Sequence, residues 1–169
     1  TAYEIVSRDW SSDVCSSDLT FSSSLDQSIV DPAVAQVVTF NTTIAANGIT
    51  LVGGSQVVLP QVGNYSFSVS AVAAATASAN AKQVSMWFRK NGTDVTNSNT
   101  YLTVNKDPTI IAVVLDLPCT TAGDYYEIWW SGETTAVKLD AVAAVSGSVT
   151  FPPNQPASPS IILTVGQIG

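Results

Sequence analysis

The chain has 169 residues, 46% of them hydrophobic and only 11% charged, which suits one domain with a real core and leaves no length for a second. A net charge of -7 without any Lys/Arg cluster argues against a nucleic-acid partner, since phosphate-backbone binding needs several cations on one face. Histidine is absent, which removes the usual base of serine and cysteine nucleophile schemes and the commonest neutral metal ligand.

In chain order, the first unusual segment is Asp9 to Leu19, DWSSDVCSSDL, which has no apolar periodicity and echoes SSDV in SSDL. It resembles the in-frame translation of a sequencing-library adapter, and residues 1–19 are read as an artefact or a disordered leader without function. Cys15 falls inside this string, so Cys119 is the one cysteine that counts and no disulfide between them is expected. Residues 20–34 are Ser-rich and weakly patterned, and are expected to be a linker; the domain is expected over 35–169. Gln36 to Thr43 is β-branched and aromatic, and Ile49 to Leu51 and Gln56 to Leu59 are short strands set off by Asn47-Gly48 and Gly53-Gly54.

Gly63 to Val72 alternates strictly, with Tyr65, Phe67, Val69 and Ala71 on the face expected in the core. No apolar run reaches the roughly 20 residues of a membrane helix, because Thr76, Ser78 and Asn80 interrupt the Ala-rich stretch that follows. Lys82 to Lys90 opposes Val84, Met86 and Phe88 to Ser85, Trp87 and Arg89, and ends at Asn91-Gly92, a tight-hairpin signal. Thr109 to Leu117 is a near-continuous apolar run, expected to be buried on both faces and closed by Pro118. Tyr125 to Trp130 sets Tyr126, Ile128 and Trp130 against Tyr125, Glu127 and Trp129. Val137 to Val142 and Ser160 to Ile168 supply two further strands around a Pro-rich loop. Many short strands with a long return to the last one suit an all-β, two-sheet antiparallel jelly-roll sandwich.

The string of pieces GNYSFSVSAVAA, MWFRKNGTDVTNSNT, TIIAVVLDLP, AGDYYEIWWSG and PSIILTVGQI resembles the trimeric jelly-roll domain of tumour necrosis factors and complement globular heads. Its likeness is strongest to the version at the C-terminal ends of bacteriophage and other viral structural proteins. The resemblance implies a homotrimer whose inner sheet holds the strands at 63–72, 124–131 and 160–168. It also implies that Tyr126, Ile128 and Trp130 pack within the protomer while Tyr125, Glu127 and Trp129 meet neighbouring chains. On this reading the chain is a fibre, tail or capsid-surface module of a virion that assembles with itself and other virion proteins and attaches to a host.

The alternative is a carbohydrate-binding or adhesion module of a secreted, extracellular bacterial protein, with Trp87, Tyr125, Trp129 and Trp130 stacking on a glycan. Catalysis is not expected. The carboxylates Asp116, Asp124, Glu127, Glu133 and Asp140 could in principle supply a glycosidase pair, but they sit in turns, loops and aromatic strands. No cofactor, metal or membrane insertion is expected.

Overall fold

The computed structural model describes residues 19–45, 48–76, 80–146 and 154–168, and all the elements among them are strands. They form two seven-stranded antiparallel sheets. The first sheet holds β1 (Leu19–Ser23), β2 (Gln27–Ser28), β4 (Thr42–Ala45), β7 (Gly63–Ala75), β11 (Thr109–Cys119), β13 (Val137–Leu139) and β14 (Ile161–Gln167). The second holds β3 (Gln36–Val37), β5 (Thr50–Val52), β6 (Gln56–Val58), β8 (Lys82–Lys90), β9 (Thr93–Asp94), β10 (Thr100–Val104) and β12 (Tyr125–Gly132). The fold is a jelly-roll sandwich.

The alternating patterns fix the inner faces. Tyr65, Phe67, Val69 and Ala71 of β7 are buried, as are Val84, Met86 and Phe88 of β8 and Tyr126, Ile128 and Trp130 of β12. Phe67 bridges the two sheets, its ring centroid 5.5 Å from Phe88 and 5.1 Å from Tyr126. Such tilted pairs contribute about 0.5–1.5 kcal/mol beyond the area they bury. The buried hydroxyls find acceptors: Tyr65 donates to the Gln61 carbonyl at 3.0 Å and Tyr126 to that of Pro118 at 2.8 Å.

Four expectations need correction. The segment read as a linker over 20–34 contains a core strand: β1 runs between β14 and β4, with Leu19 opposite Val165, and Leu19 and Phe21 are fully buried. Leu19 therefore belongs to the domain, while the rest of the adapter-like string, Cys15 included, lies outside the described residues. The strand expected over 36–43 is split, because the chain crosses between sheets there: β3 pairs with β12, β4 pairs with β1, and Val38 and Phe40 between them enter the core.

The run at 109–117 is not covered on both faces. Among the described residues β11 pairs with β7 alone, and it alternates, burying Ile111, Leu117 and Cys119 while leaving Ile110 and Val114 each 66% exposed. Pro118 sits inside this strand, which an edge position allows because one row of N–H groups has no ladder to join. Finally, β12 does not share a sheet with β7 and β14; it pairs with β8, β6 and β3 on the opposite side of the sandwich.

The turns follow their chemistry. Asn91 and Gly92 have φ of 50° and 81°, the left-handed pair that a two-residue hairpin requires, and they join Lys90 to Thr93. At Gly132 the constraint is space, not φ: a Cβ there would lie 2.9 Å from Ile29 Cγ1 and 3.0 Å from Val137 Cβ.

Candidate functional site

The outer faces of the two sheets differ in chemistry, and each carries a candidate site. On the first sheet the register aligns Val114, Ser68, Thr164 and Thr20 in one row and Ala112, Ser70, Ile162 and Ser22 in the next. A third row runs Asp116, Ser66, Gly166. Asp116 is the one charge in these rows, and the side chains are short enough to leave the surface low. Thr20 and Thr164 hydroxyls meet at 3.3 Å, while Ile110 and Val114 stand out from β11 into solvent. The far edge of β11 has no strand partner among the described residues, so its backbone groups form an open template. The resemblance implied a trimer-facing sheet holding 63–72 and 160–168, which are β7 and β14 of this sheet, but it named contact residues only on 124–131, which lies in the other; the signal for β11's part in this face is the alternation inside the apolar run, with Ile110, Ala112 and Val114 on one side.

The second sheet's outer face holds the residues expected at the trimer contact. Trp129 lies opposite Trp87 and Glu127 opposite Arg89 on the β12–β8 ladder, and Arg89 faces Asp94 across the hairpin. They satisfy one another within the protomer. The Trp129 indole N–H donates to Glu127 Oε2 at 3.1 Å, and Ser55 Oγ donates to Glu127 Oε1 at 3.4 Å. The Arg89 guanidinium lies 3.9 Å from the Trp129 ring centroid, a cation–π contact, and its Nε donates to Asp94. The Trp87 indole donates to the same carboxylate at 2.8 Å. These two donors, Arg89 first, hold the Asp94 carboxyl below the usual range. Glu127, expected to need a neighbouring chain, is 9% exposed and already partnered.

Of the four aromatics proposed to stack on a glycan, Trp130 is a core residue at 1% exposure. The ring of Trp129 is covered on one side by Arg89. Tyr125 is half-buried, beside the Asn91-Gly92 turn. Trp87 lines a cavity, about 360 Å³ in volume, together with Ser85, Asp94, Val95, Asn97, Asn99 and Ser131.

The remaining carboxylates serve the fold. Asp124 is buried and accepts from Lys90 Nζ at 2.8 Å, Asn91 Nδ2 at 2.8 Å, and the backbone N–H groups of Thr120 and Thr121 at 2.8 and 3.0 Å. The Lys90 ammonium, then Asn91, hold its carboxyl far below the ordinary value. Glu133 accepts from the Gln83 N–H at 3.0 Å, and Asp140 pairs with Lys138 at 2.6 Å. Asp116 stands exposed on β11. Cys119 is a buried free thiol. Among the described residues no group of three or more His, Cys, Asp or Glu could hold a metal ion.

Two antiparallel sheets with β14, β1 and β7 side by side in one, and β12, β8 and β10 in the other, define a TNF-like jelly roll. Among solved structures the chain is similar to murine APRIL crystallised at pH 8.5, with 13% identity over 90% of this chain and 99% of that one and a TM-score of 0.53. It is similar also to the Eiger TNF of S. frugiperda, at 10% identity, 91% and 93% coverage, and a TM-score of 0.55. No family model matches the sequence, and neither does any curated protein. At such identities the likeness establishes the fold alone.

Proposed function

We propose that the chain is a self-assembling structural module, a homotrimer that forms part of a virion fibre, tail or capsid surface. The observation that carries self-assembly is the first sheet's outer face: three rows nearly free of charge, flanked by Ile110 and Val114 and by the open edge of β11. Exposing such side chains is unfavourable by about 25 cal/mol for each Å² of apolar surface, and a second copy offers the same uncharged surface in return. The threefold arrangement rests on the TNF-like fold. Assignment to a virion rests on the phage-like strings MWFRKNGTDVTNSNT and AGDYYEIWWSG and on a surface poor in charge. The module works by association and presentation, without turnover, and its other partners are neighbouring virion proteins.

Light scattering behind a sizing column tests the assembly. The expected mass of the full chain is that of a trimer of 17.6 kDa protomers. Val114→Lys with Ser68→Lys returns it to a monomer, whereas Trp129→Ser on the opposite sheet leaves the trimer intact. A monomeric native chain would overturn the reading. Mass spectrometry of purified particles from the source culture tests the virion assignment, which fails if the chain is found only in the free secreted fraction. An extracellular adhesion module is the reading that then replaces it.

A further inference from the structure

The cavity beside Trp87 lies on the sheet opposite the assembly face, and the self-association reading makes no use of it. Its far wall is the turn after β9. Ser98 pins that turn: its hydroxyl is buried, donates to the Val95 carbonyl at 2.7 Å and accepts the Phe88 N–H at 3.0 Å. The Val95 N–H in turn donates to the Phe88 carbonyl at 2.9 Å. Asn97, held at φ 62°, and Asn99 flank this anchor and face the cavity from a fixed backbone. Neither amide makes a hydrogen bond among the described residues, and the same holds for the hydroxyls of Ser85 and Ser131 across the floor. Asp94 is fixed by Trp87 and Arg89 and keeps lone pairs free.

We propose that this cavity is a subsite for one neutral pyranose, with Trp87 against the C–H surface of the sugar and Asp94, Asn97, Asn99, Ser85 and Ser131 on its hydroxyls. A sugar hydroxyl both donates and accepts, and so does each of the free amide and hydroxyl groups here apart from the accepting carboxylate. The size fits: about 360 Å³ is near the lower end of small-molecule sites, enough for one ring and short of a chain. Asp94 and the net charge of -7 select against acidic sugars and phosphates. Because Ser98 orders the turn in advance, binding spends little entropy on the protein side.

Saturation-transfer NMR on the full chain, with methyl glycosides of glucose, galactose, mannose and N-acetylglucosamine at tens of millimolar, reads the site directly. Transfer to the ring C–H protons of at least one of them is the expected result. Asn99→Ala, and Asn97→Gly, which keeps the left-handed backbone, should each weaken that ligand by about tenfold. Absence of transfer to all four glycosides overturns the proposal, and so does transfer that neither variant changes. The readout is indifferent to oligomeric state, so a monomer that binds a pyranose would remove the assembly reading and leave this one standing.

Discussion

The two outer faces of the sandwich show opposite ways of finishing a β-sheet. On the second sheet, Trp129, Arg89, Glu127, Asp94 and Trp87 are large and polar-tipped, and they are closed upon each other by an indole bond to Glu127, a guanidinium over Trp129 and two donors on Asp94. On the first, Ser66, Ser68, Ser70, Thr164 and Ala112 are small; among the described residues Thr164 meets the Thr20 hydroxyl and the three serines make no side-chain hydrogen bond, while Ile110 and Val114 are left in water. Trp129, the bulkiest of these, is thus engaged inside the protomer, whereas Tyr101 on the same sheet is 72% exposed and Trp87 borders a cavity. The face without distinctive side chains is the one that lacks a cover.

Substitutions sharpen this contrast, and the largest effect belongs to neither face. Asp124→Ala removes the acceptor for Lys90, Asn91 and two backbone amides at the end of the sandwich, and a loss of about 3–5 kcal/mol in a denaturant titration is expected. The same group sets an acid dependence. Its folded pKa lies below the unfolded value of about 3.9, so its contribution is complete above that value and is lost as the pH falls toward the folded one. Stability measured from pH 7 downward should decline below about pH 4, and less steeply in Asp124→Asn.

Gly132→Ala should cost about 1–3 kcal/mol by overpacking Ile29 and Val137 beneath the second sheet, read as a lower denaturation midpoint with an unchanged slope. On that sheet's surface, Arg89→Ala uncovers Trp129 and should cost about 1 kcal/mol, with easier quenching of tryptophan fluorescence by acrylamide. On the first sheet, Val114→Lys should change protomer stability by less than about 0.5 kcal/mol at dilutions where all variants are monomeric, yet abolish the larger mass. Equal stability losses from Arg89→Ala and Val114→Lys under those conditions would erase the distinction between the faces.

Much of the architecture is legible in the residues, because alternation is a local signal. Strands β7, β8 and β12 follow from it, with the core face of β7 named from the pattern and that of β12 supplied by the resemblance, and Asn91-Gly92 marks its hairpin. Sheet membership is not local. The pattern of Tyr125 to Trp130 says that two faces exist but not which sheet the strand joins, and a likeness of strings supplied the wrong one. The apolar run of β11 points to cover on both faces because composition reports a demand for burial without saying whose atoms meet it. β1 is masked in the sequence although LTFSS alternates, since its partner β14 lies at the other end of the chain and a strange string precedes it. Thr100 to Val104 alternates in burial but less clearly in sequence, where Tyr101 and Leu102 are adjacent. At the candidate sites, the cavity depends on a turn pinned by Ser98, whose role is visible only once Phe88 is beside it.

The pairing of Leu19 with Val165 has a mechanical consequence. β1 begins and β14 ends at the same end of the sheet, next to Gly63 and Cys119. Tension applied between a tether entering at Leu19 and one leaving after Gln167 would therefore open the two strands pair by pair, like a zipper, with each hydrogen bond meeting the force alone. A domain hung from one of those tethers avoids this geometry. Its far end, with the connections from Ser23 and into Ile161, then points away from the anchor.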